Sequence, residues 1–264
     1  MRVHIRKLLK PWAITAALAA WSLVFVACMT TQRPIAVPGQ NGGAKLVGMN
    51  QCSPCHDDVI AKFQNSTHAR LMVQGAGPNV AVGCESCHGP GSAHVKAGGG
   101  RGNIINPVRD PETCFKCHLD KRAEFSLPNS HPVLSGKMSC SDCHDPHSGD
   151  AIKGQGAMSL DDENATCTRC HTQEKGPFIF EHNAMREGCT VCHNPHGTVN
   201  QKMLVARDAN LCVKCHLEHP TVAGNGTIVL GGEDHRTRLQ NGTCWSAGCH
   251  EAVHGSNASK ALRY

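Results

Sequence analysis

Residues 83 to 90 read GCESCHGP, in which two cysteines lie three positions apart and a histidine directly follows the second. One such motif is ambiguous, because C-x-x-C occurs in zinc ribbons, thioredoxin-like redox sites and haem attachment sites, and only the histidine favours haem. The chain contains the motif seven times, as CSPCH (52–56), CESCH (84–88), CFKCH (114–118), CSDCH (140–144), CTRCH (167–171), CTVCH (189–193) and CVKCH (212–216).

The histidine after each second cysteine decides between these chemistries. Histidine accounts for only 18 of 264 residues, so seven occurrences at one fixed position cannot come from composition alone. Zinc clusters and disulfide scaffolds have no need for a histidine at that position. In haem c attachment each thiol adds to a porphyrin vinyl group, and the following imidazole becomes the proximal iron ligand. The motifs therefore predict covalently bound haem c.

An eighth site lies near the C-terminus as CWSAGCH (244–250), with four residues instead of two between its cysteines. We interpret it as a wide-spaced haem site, although C-x4-C-H also suits a disulfide or a metal-binding pair. The chain then carries eight haems, at sites numbered 1 to 8 in chain order. The predicted attachment cysteines are Cys52, Cys55, Cys84, Cys87, Cys114, Cys117, Cys140, Cys143, Cys167, Cys170, Cys189, Cys192, Cys212, Cys215, Cys244 and Cys249. The predicted proximal ligands are His56, His88, His118, His144, His171, His193, His216 and His250.

Eight six-coordinate irons need eight further ligands. Nine other histidines follow residue 27, one more than the irons require, and we take His219 as the spare. His147 and His196 each lie three residues after a proximal histidine, too close to reach the opposite face of the same porphyrin, so each should cap a neighbouring haem. The methionines share no position relative to the motifs and are interpreted as packing residues. The predicted distal ligands are His68, His94, His131, His147, His182, His196, His235 and His254.

The N-terminus has the pattern of an export signal. MRVHIRKLLK carries four basic residues and no acid, and an apolar run of signal-peptide length follows it to residue 27. Export agrees with haem c attachment, which takes place outside the cytoplasmic membrane. Cys28 is the one cysteine of 17 outside the eight pairs, and Val26-Ala27-Cys28 resembles a lipoprotein box, which predicts lipidation of Cys28. The alternatives are an ordinary signal peptide and a short uncleaved anchor.

The composition predicts a core without many aromatic side chains. Only ten residues are Trp, Tyr or Phe, and Gly plus Pro reach 41 of 264. Porphyrins would supply the apolar bulk that a core normally takes from side chains. The predicted fold class is a multihaem cytochrome c, mostly coil with short α-helices and little β-structure, forming an extended haem array. A helix is predicted over 57–73 and a small hairpin in GTIVLGG (226–232).

Three segments are predicted along the chain. Residues 1–27 form the signal peptide, 28–50 a flexible tether interrupted by proline and glycine, and 51–264 the octahaem region. Within that region, CSDCHDPHSG followed by CTRCH resembles CTVCHNPHGTVN followed by CVKCH. This internal repeat predicts two paired-haem modules, at about 137–183 and 186–220.

The formal net charge of +5 does not indicate a nucleic-acid partner. Removal of residues 1–27 takes away four positive charges and leaves +1, and each oxidised haem with two ionised propionates adds about −1. The haem-loaded protein is then acidic. We therefore expect no nucleic-acid binding, and expect the dispersed lysines and arginines to pair with propionates.

Three stretches make the chain resemble the DmsE, MtrA and PioA type of periplasmic multihaem cytochromes. They are GCESCHGPGSAHV (83–95), CSDCHDPHSG (140–149) and CHTQEKGPFIFEHNAMREGCTVCHNPHGTVN (170–200), and the resemblance covers about residues 50–220. The resemblance implies a protein that threads an outer-membrane porin, or lies at its periplasmic mouth, and passes electrons to an extracellular cytochrome or reductase. The chain departs from that pattern in having eight sites instead of ten, a wide-spaced eighth site and the predicted lipid anchor. Its tail CWSAGCHEAVHGSN (244–257) is more similar to multihaem cytochromes of metal-reducing bacteria.

Closed coordination and the resemblance together predict an electron carrier and not an enzyme, one that relays electrons across the periplasm toward or through the outer membrane. The expected partners are quinol-linked inner-membrane or periplasmic donors, other multihaem cytochromes and an outer-membrane porin. The expected location is the periplasmic side, with a lipid anchor in the outer membrane. One alternative is an octahaem reductase with one open haem, but the chain has no CXXCK motif and its one tyrosine is Tyr264. Another is a subunit of a cytochrome filament.

Overall fold

The computed structural model describes residues 43–70, 83–148, 160–216, 229–230, 232–246 and 248–264. All of them belong to the second of two units into which the chain divides, Ile35–Tyr264. The predicted signal peptide, the predicted lipidation site Cys28 and the spare histidine His219 lie outside the described residues. The predictions for those three features therefore concern residues that the structure leaves undescribed.

Each C-x-x-C-H motif folds into a single helical turn. At sites 1, 3, 4, 5 and 6 the backbone N–H of the proximal histidine donates to the carbonyl oxygen of the first cysteine, at 2.9–3.0 Å. Sites 2 and 7 place the same motif within short α-helices. A gap of two residues suits such a turn, because a helical hydrogen bond joins residues four positions apart. Both thiols and the imidazole are thus held on one local piece of backbone.

The helices of the described residues are short and are joined by coil. Seven are α-helices: α1 (Ser53–Phe63), α2 (Cys84–His88), α3 (Ser92–Lys96), α4 (Glu112–Phe115), α5 (Leu119–Phe125), α6 (Leu160–Thr168) and α7 (Ala209–His216). Nine are short 3-10 helices: Met49–Gln51, His68–Arg70, Arg101–Asn103, Pro107–Arg109, Cys140–Asp142, Thr172–Glu174, Asn183–Glu187, Cys189–Val191 and Gln201–Met203. Within this part of the chain, none of the helices has the length and apolar character needed to cross a bilayer.

The helix predicted over 57–73 differs from α1 at both ends. α1 begins at Ser53 because the site 1 turn continues into it, with a local break at His56 (φ −129°, ψ 35°). Pro54 lies in the first turn, where a missing N–H is tolerated. The helix ends at Phe63, and a separate 3-10 turn follows at His68–Arg70, while 71–73 lie outside the described residues.

Strand structure is limited to two antiparallel pairs among the described residues. β1 (Phe180–Glu181) pairs with β4 (Gly255–Ser256) and joins segments far apart in sequence. β2 (Val229–Leu230) pairs with β3 (Glu233–Asp234) and forms the hairpin predicted from GTIVLGG, although its second strand lies just beyond that stretch. The fold class of mostly coil, short helices and little strand is confirmed.

The apolar core is small, as the composition predicts. Its main cluster consists of Phe115, Phe125 and Val133, with Leu134 and Met138 packed beside it. This cluster also positions a predicted ligand, because the Phe125 ring lies edge-on to the imidazole of His196 at a centroid distance of 5.4 Å.

Candidate haem sites

Every predicted proximal histidine has one predicted distal histidine as a ring partner. The ring centroids of the eight pairs are 6.0–6.4 Å apart. The pairs for sites 1 to 8, proximal residue first, are His56–His94, His88–His147, His118–His68, His144–His196, His171–His131, His193–His254, His216–His182 and His250–His235.

The spacing of these rings fits one iron between each pair. An imidazole nitrogen binds a transition metal at about 2.0 Å, and the ring centroid lies about 1 Å behind that nitrogen, so two axial imidazoles place their centroids about 6 Å apart. Direct ring stacking would bring the centroids closer. Among the described residues, no group of three His, Cys, Asp or Glu side chains is arranged to hold a metal ion. The histidines come together in twos, as axial ligation of haem requires.

Backbone carbonyls set the tautomer of seven of these imidazoles. A carbonyl oxygen can only accept a hydrogen bond, so the Nδ1 atom beside it carries the proton and Nε2 keeps its lone pair for a metal. The seven Nδ1 to oxygen distances are 2.6–3.1 Å. The donor and acceptor residues are His88 and Ile105, His94 and Gly100, His131 and Pro195, His182 and Val253, His193 and Lys202, His235 and Glu233, and His250 and Ala261.

The predicted distal histidines of sites 2, 4 and 6 have a carboxylate near Nδ1 instead. The distances from Nδ1 to the carboxylate oxygen are 3.8 Å for His147 and Asp145, 3.2 Å for His196 and Glu124, and 2.6 Å for His254 and Glu174. Only the last two are within hydrogen-bonding distance.

Burial keeps several of these rings neutral. Burial lowers the pKa of His88, His196 and His254, although an acceptor at Nδ1 works in the opposite direction in each case. Neutral imidazole is the form that ligates iron. Among the predicted distal histidines, His68 differs from the rest, because its buried Nδ1 has no hydrogen-bond partner among the described residues.

The attachment cysteines of successive sites lie close to one another. Sites 3 and 4 are joined by a hydrogen bond between the thiols of Cys114 and Cys140, which raises the pKa of Cys114 and lowers that of Cys140 to about 7. The other neighbouring pairs are Cys52 and Cys84, Cys87 and Cys117, Cys143 and Cys167, Cys143 and Cys170, Cys167 and Cys189, Cys192 and Cys215, and Cys212 and Cys244. The sites therefore neighbour one another in chain order, from 1 to 8, and every consecutive pair is represented.

The ring pairs connect chain segments two sites apart. At sites 2, 4 and 6 the predicted distal partner lies two sites further along the chain; His147, for example, follows the site 4 motif and pairs with His88 of site 2. At sites 3, 5 and 7 the predicted distal partner lies two sites earlier; His68, for example, follows the site 1 motif and pairs with His118 of site 3. Sites 1 and 8 take their partners, His94 and His235, from nearer segments. The rings of His147 and His196 thus pair with the proximal rings two sites back in chain order, at sites 2 and 4.

The wide-spaced eighth site reproduces the backbone closure of the others. The N–H of His250 donates to the carbonyl oxygen of Cys244 at 3.0 Å, the same contact that closes the C-x-x-C-H turns. The two additional residues are accommodated in a local turn, in which the N–H of Cys249 donates to the carbonyl of Ser246 at 3.2 Å. The backbone of His250 therefore makes the same contact with the first cysteine of its motif as the proximal histidines of sites 1, 3, 4, 5 and 6.

Sequence reasoning missed the residues that support the distal histidines. Gly197 and Gly255 directly follow His196 and His254, with φ of 154° and 153°. A Cβ atom would lie 2.2 Å from a backbone oxygen at Gly197 and 2.3 Å from the Phe178 ring at Gly255. The repeated H-G-T and H-G-S triplets were a signal for these close approaches, whereas nothing local marked Glu124 or Glu174.

The comparisons with known proteins agree with this geometry. Residues 131–176 and 182–221 match the family model described as a doubled CXXCH motif, and each range contains two motifs. The chain is 34% identical over 209 residues to "Multiheme cytochrome MtrA" of Shewanella baltica, a match that covers 78% of this chain and 57% of that protein. It is 26% identical over 202 residues to "C-type polyheme cytochrome OmcB" of Geobacter sulfurreducens, covering 73% of this chain and 26% of that protein.

A shorter match places the chain near a third cytochrome. "Cytochrome c-554" of Nitrosomonas europaea is 25% identical over 160 residues, which is 57% of this chain and 58% of that protein. The chain thus spans less than two thirds of the length of each of these relatives. The relatives are cytochromes, the matched model is a doubled CXXCH motif, and the fold is the predicted coil with short helices. The chain is therefore a multihaem c-type cytochrome that is similar to the MtrA type.

Proposed function

We propose that the chain is an octahaem electron-transfer protein in which electrons pass from site to site in chain order. The eight ring pairs carry this proposal, because each provides two imidazole nitrogens at the spacing of axial iron ligands. The attachment cysteines and proximal histidines are those of sites 1 to 8. Bound haem supplies the reversible ferric and ferrous couple on which the transfer depends.

The cysteines and the paired histidines have separate roles in this proposal. The sixteen cysteines would fix each cofactor to the backbone, and the attachment cysteines of successive sites lie close to one another. The paired imidazoles would supply two nitrogen ligands to each iron and leave no position for a substrate. Closed coordination of this kind favours electron exchange over bond-making chemistry. Because all eight partners come from one chain, the pairing gives no support to an open reductase haem or to ligand exchange between filament subunits.

The proposed route leads across the periplasm toward or through the outer membrane. Similarity to MtrA and OmcB over most of this chain supports a role among other multihaem cytochromes. A porin at the outer membrane and a quinol-linked inner-membrane or periplasmic donor complete the proposed route. The chain covers 57% of MtrA and 26% of OmcB, so these partners are proposed for this chain on the shared region alone.

Haem count and ligand exchange test the proposed coordination. A pyridine haemochrome assay with intact mass should give eight haems per chain, and the reduced protein should bind no carbon monoxide. Voltammetry of the adsorbed protein should show reversible electron exchange, with no catalytic current after addition of nitrite, hydroxylamine or tetrathionate. Stoichiometric carbon monoxide binding together with a catalytic current would overturn the proposal in favour of a reductase.

The proposed lipid anchor is tested separately at Cys28. Cys28 belongs to none of the eight pairs, so Cys28→Ala should abolish lipidation and membrane association while leaving haem attachment unchanged. Membrane fractionation and the mass of the mature N-terminus provide the readout. A wild-type protein whose N-terminus lies elsewhere, and which is soluble in the periplasmic fraction, would contradict the anchor and leave the electron-transfer proposal intact.

A further inference from the structure

Glu174 lies directly behind the predicted distal ligand of site 6. Its Oε2 atom is 2.6 Å from Nδ1 of His254, whose ring pairs with that of His193 at 6.1 Å. On the proximal side, Nδ1 of His193 is bonded to the carbonyl oxygen of Lys202 at 2.8 Å. Site 6 is therefore the one described site with a neutral acceptor behind one imidazole and, behind the other, a hydrogen-bonded carboxylate that forms no ion pair with a described lysine or arginine. Lys202 lies near enough to act on His254, but it is not paired with Glu174.

Tertiary structure brings Glu174 and His254 together across 80 positions of sequence. Glu174 ends the 3-10 turn Thr172–Glu174, which follows the site 5 motif. His254 directly precedes β4, and the pairing of β4 with β1 places it beside that turn. The carboxylate is 40% exposed, and none of the ion pairs of the described residues joins it to a lysine or arginine.

A carboxylate in this position changes the electronic properties of the ligand. It attracts the Nδ1 proton more strongly than a carbonyl does, because a hydrogen bond to an ionised acceptor is about twice as strong as one to a neutral acceptor. Nε2 then becomes a stronger donor, which stabilises ferric iron over ferrous iron. The negative charge itself acts in the same direction, because the ferric site carries one more positive charge than the ferrous site.

Site 4 also has a carboxylate behind its predicted distal histidine, but the contact is weaker. Glu124 Oε2 lies 3.2 Å from Nδ1 of His196, but the same carboxylate also accepts hydrogen bonds from Lys121 at 2.7 Å and Asn194 at 3.2 Å. The lysine neutralises part of its charge. At sites 5 and 7, by contrast, the distal histidines His131 and His182 donate to backbone carbonyls.

We propose that Glu174 tunes site 6 by accepting the Nδ1–H of His254, and lowers the reduction potential of that site below those of its neighbours, sites 5 and 7. Glu124 has the same role at site 4, with a smaller effect. The proposal rests on the bis-histidine ligation proposed above. Electrons moving through sites 4 to 7 would then pass alternately through lower and higher potentials, and site 6 would be among the last to be reduced.

Three variants test the role of Glu174 by spectroelectrochemical titration of the haem-loaded protein. Glu174→Gln keeps an acceptor of similar size but removes the charge, so one haem of the eight should shift to higher potential. Glu174→Asp keeps the charge and should shift it less. Glu233→Gln is the matched control, because it removes one charge two residues from the distal histidine of site 8, while His235 donates to the backbone oxygen of Glu233 and not to its side chain.

Lys121→Gln gives a test of opposite sign. It frees Glu124 from its closest cation, so the site 4 haem should shift to lower potential. Superimposable titrations of wild type and Glu174→Gln, or equal shifts in Glu174→Gln and Glu233→Gln, would overturn the tuning role. The wild-type protein separates this failure from failure of the ligation itself. Eight low-spin haems without carbon monoxide binding uphold the ligation, whereas high-spin iron or carbon monoxide binding in wild type would contradict it.

Discussion

Nδ1 of His182 lies 2.8 Å from the carbonyl oxygen of Val253, the residue before His254. The same relation occurs between His131 and Pro195, the residue before His196, at 2.7 Å. His182, the predicted distal histidine of site 7, is thus oriented by the residue before the predicted distal histidine of site 6. His131, that of site 5, is oriented in the same way by the residue before that of site 4. Sites 4 and 5, and sites 6 and 7, are therefore built as coupled pairs.

The backbone register around the two contacts is also the same. Phe180 pairs with Ser256, and Asn129 pairs with Thr198, so each bridge joins the residue two before one distal histidine to the residue two after the other. The repeat visible in the cysteine motifs thus extends to the long-range contacts that position the ligands. A disturbance of one bridge should affect two haems at once.

Gly255→Ala should disturb sites 6 and 7 together. The new Cβ would meet the Phe178 ring at 2.3 Å in a backbone conformation with φ of 153°, so β4 must move away from β1. Overpacking of this kind costs about 1–3 kcal/mol. We expect guanidinium unfolding to show a loss of that size, and the low-spin absorption of two haems to change.

Gly102→Ala is the control for this prediction. A Cβ at Gly102 meets no atom within 4 Å, and its φ is outside the left-handed region, so its unfolding free energy should stay within about 0.5 kcal/mol of wild type. A Gly255→Ala protein with unchanged stability and spectrum would show that the β1–β4 pair does not position these ligands.

Local motifs and long-range contacts differ in how far the sequence predicts them. The C-x-x-C-H turns and the scarcity of core residues follow from spacing and composition, since both are properties of short stretches or of totals. The distal partner of each proximal ring does not follow from spacing or composition. His254, for example, lies beside site 6 because β1 pairs with β4. Glu174 was missed for the same reason, since its role appears only when residues 80 positions apart meet. The helix predicted over 57–73 was too long because Ser66 and the 3-10 turn at His68–Arg70 interrupt it.

His235→Ala should open one haem to exogenous ligands. His235 is the ring partner of His250, and it lies in the local hairpin that contains β3 and not in a coupled pair. Loss of its imidazole should therefore leave the other seven ring pairs in place. The reduced variant should bind about one carbon monoxide per chain, measured by the Soret difference spectrum against wild type.

The same variant tests the wide-spaced eighth motif. If Cys244 and Cys249 hold no haem, His235→Ala will bind no carbon monoxide and its haem count will equal that of wild type at seven. Cys249→Ala serves as the companion variant, because it removes one thioether and should weaken haem retention at site 8 alone.

Glu85 should anchor the segment before site 1 in a pH-dependent manner. Its carboxylate accepts hydrogen bonds from the backbone N–H groups of Val47, Gly48 and Gly91 at 2.8–3.1 Å. Burial opposes ionisation, but these three donors outweigh it and lower the pKa of Glu85. A lowered pKa in the folded state means that the stabilisation is present above the ordinary glutamate pKa of about 4.3 and is lost as the pH falls through the folded value.

Glu85→Gln should therefore weaken this anchor at neutral pH and not at strongly acidic pH. Hydrogen bonds to a charged acceptor contribute about 1.5–3 kcal/mol, so amide exchange at Val47 and Gly48 should be faster in the variant by about tenfold or more at pH 7. The difference should vanish below the folded pKa of Glu85. Glu187→Gln, at an exposed carboxylate, should leave these amides unchanged. Equal protection in wild type and Glu85→Gln at pH 7 would contradict the anchor.

The relative orientation of the axial rings predicts two spectroscopic classes of haem. The planes are nearly perpendicular at site 3, where His68 and His118 make 84°, and strongly rotated at site 5, where His131 and His171 make 63°. At the other six sites the angles are 5–30°.

Parallel imidazole planes split the two iron d orbitals that interact with the ligand π systems, whereas perpendicular planes leave them nearly equal in energy. The electron paramagnetic resonance spectrum of the oxidised protein should therefore contain six rhombic low-spin signals and two with a much larger maximum g value. His68→Ala should remove one of the latter, while a wild-type spectrum with eight rhombic signals would contradict the ring orientations at sites 3 and 5.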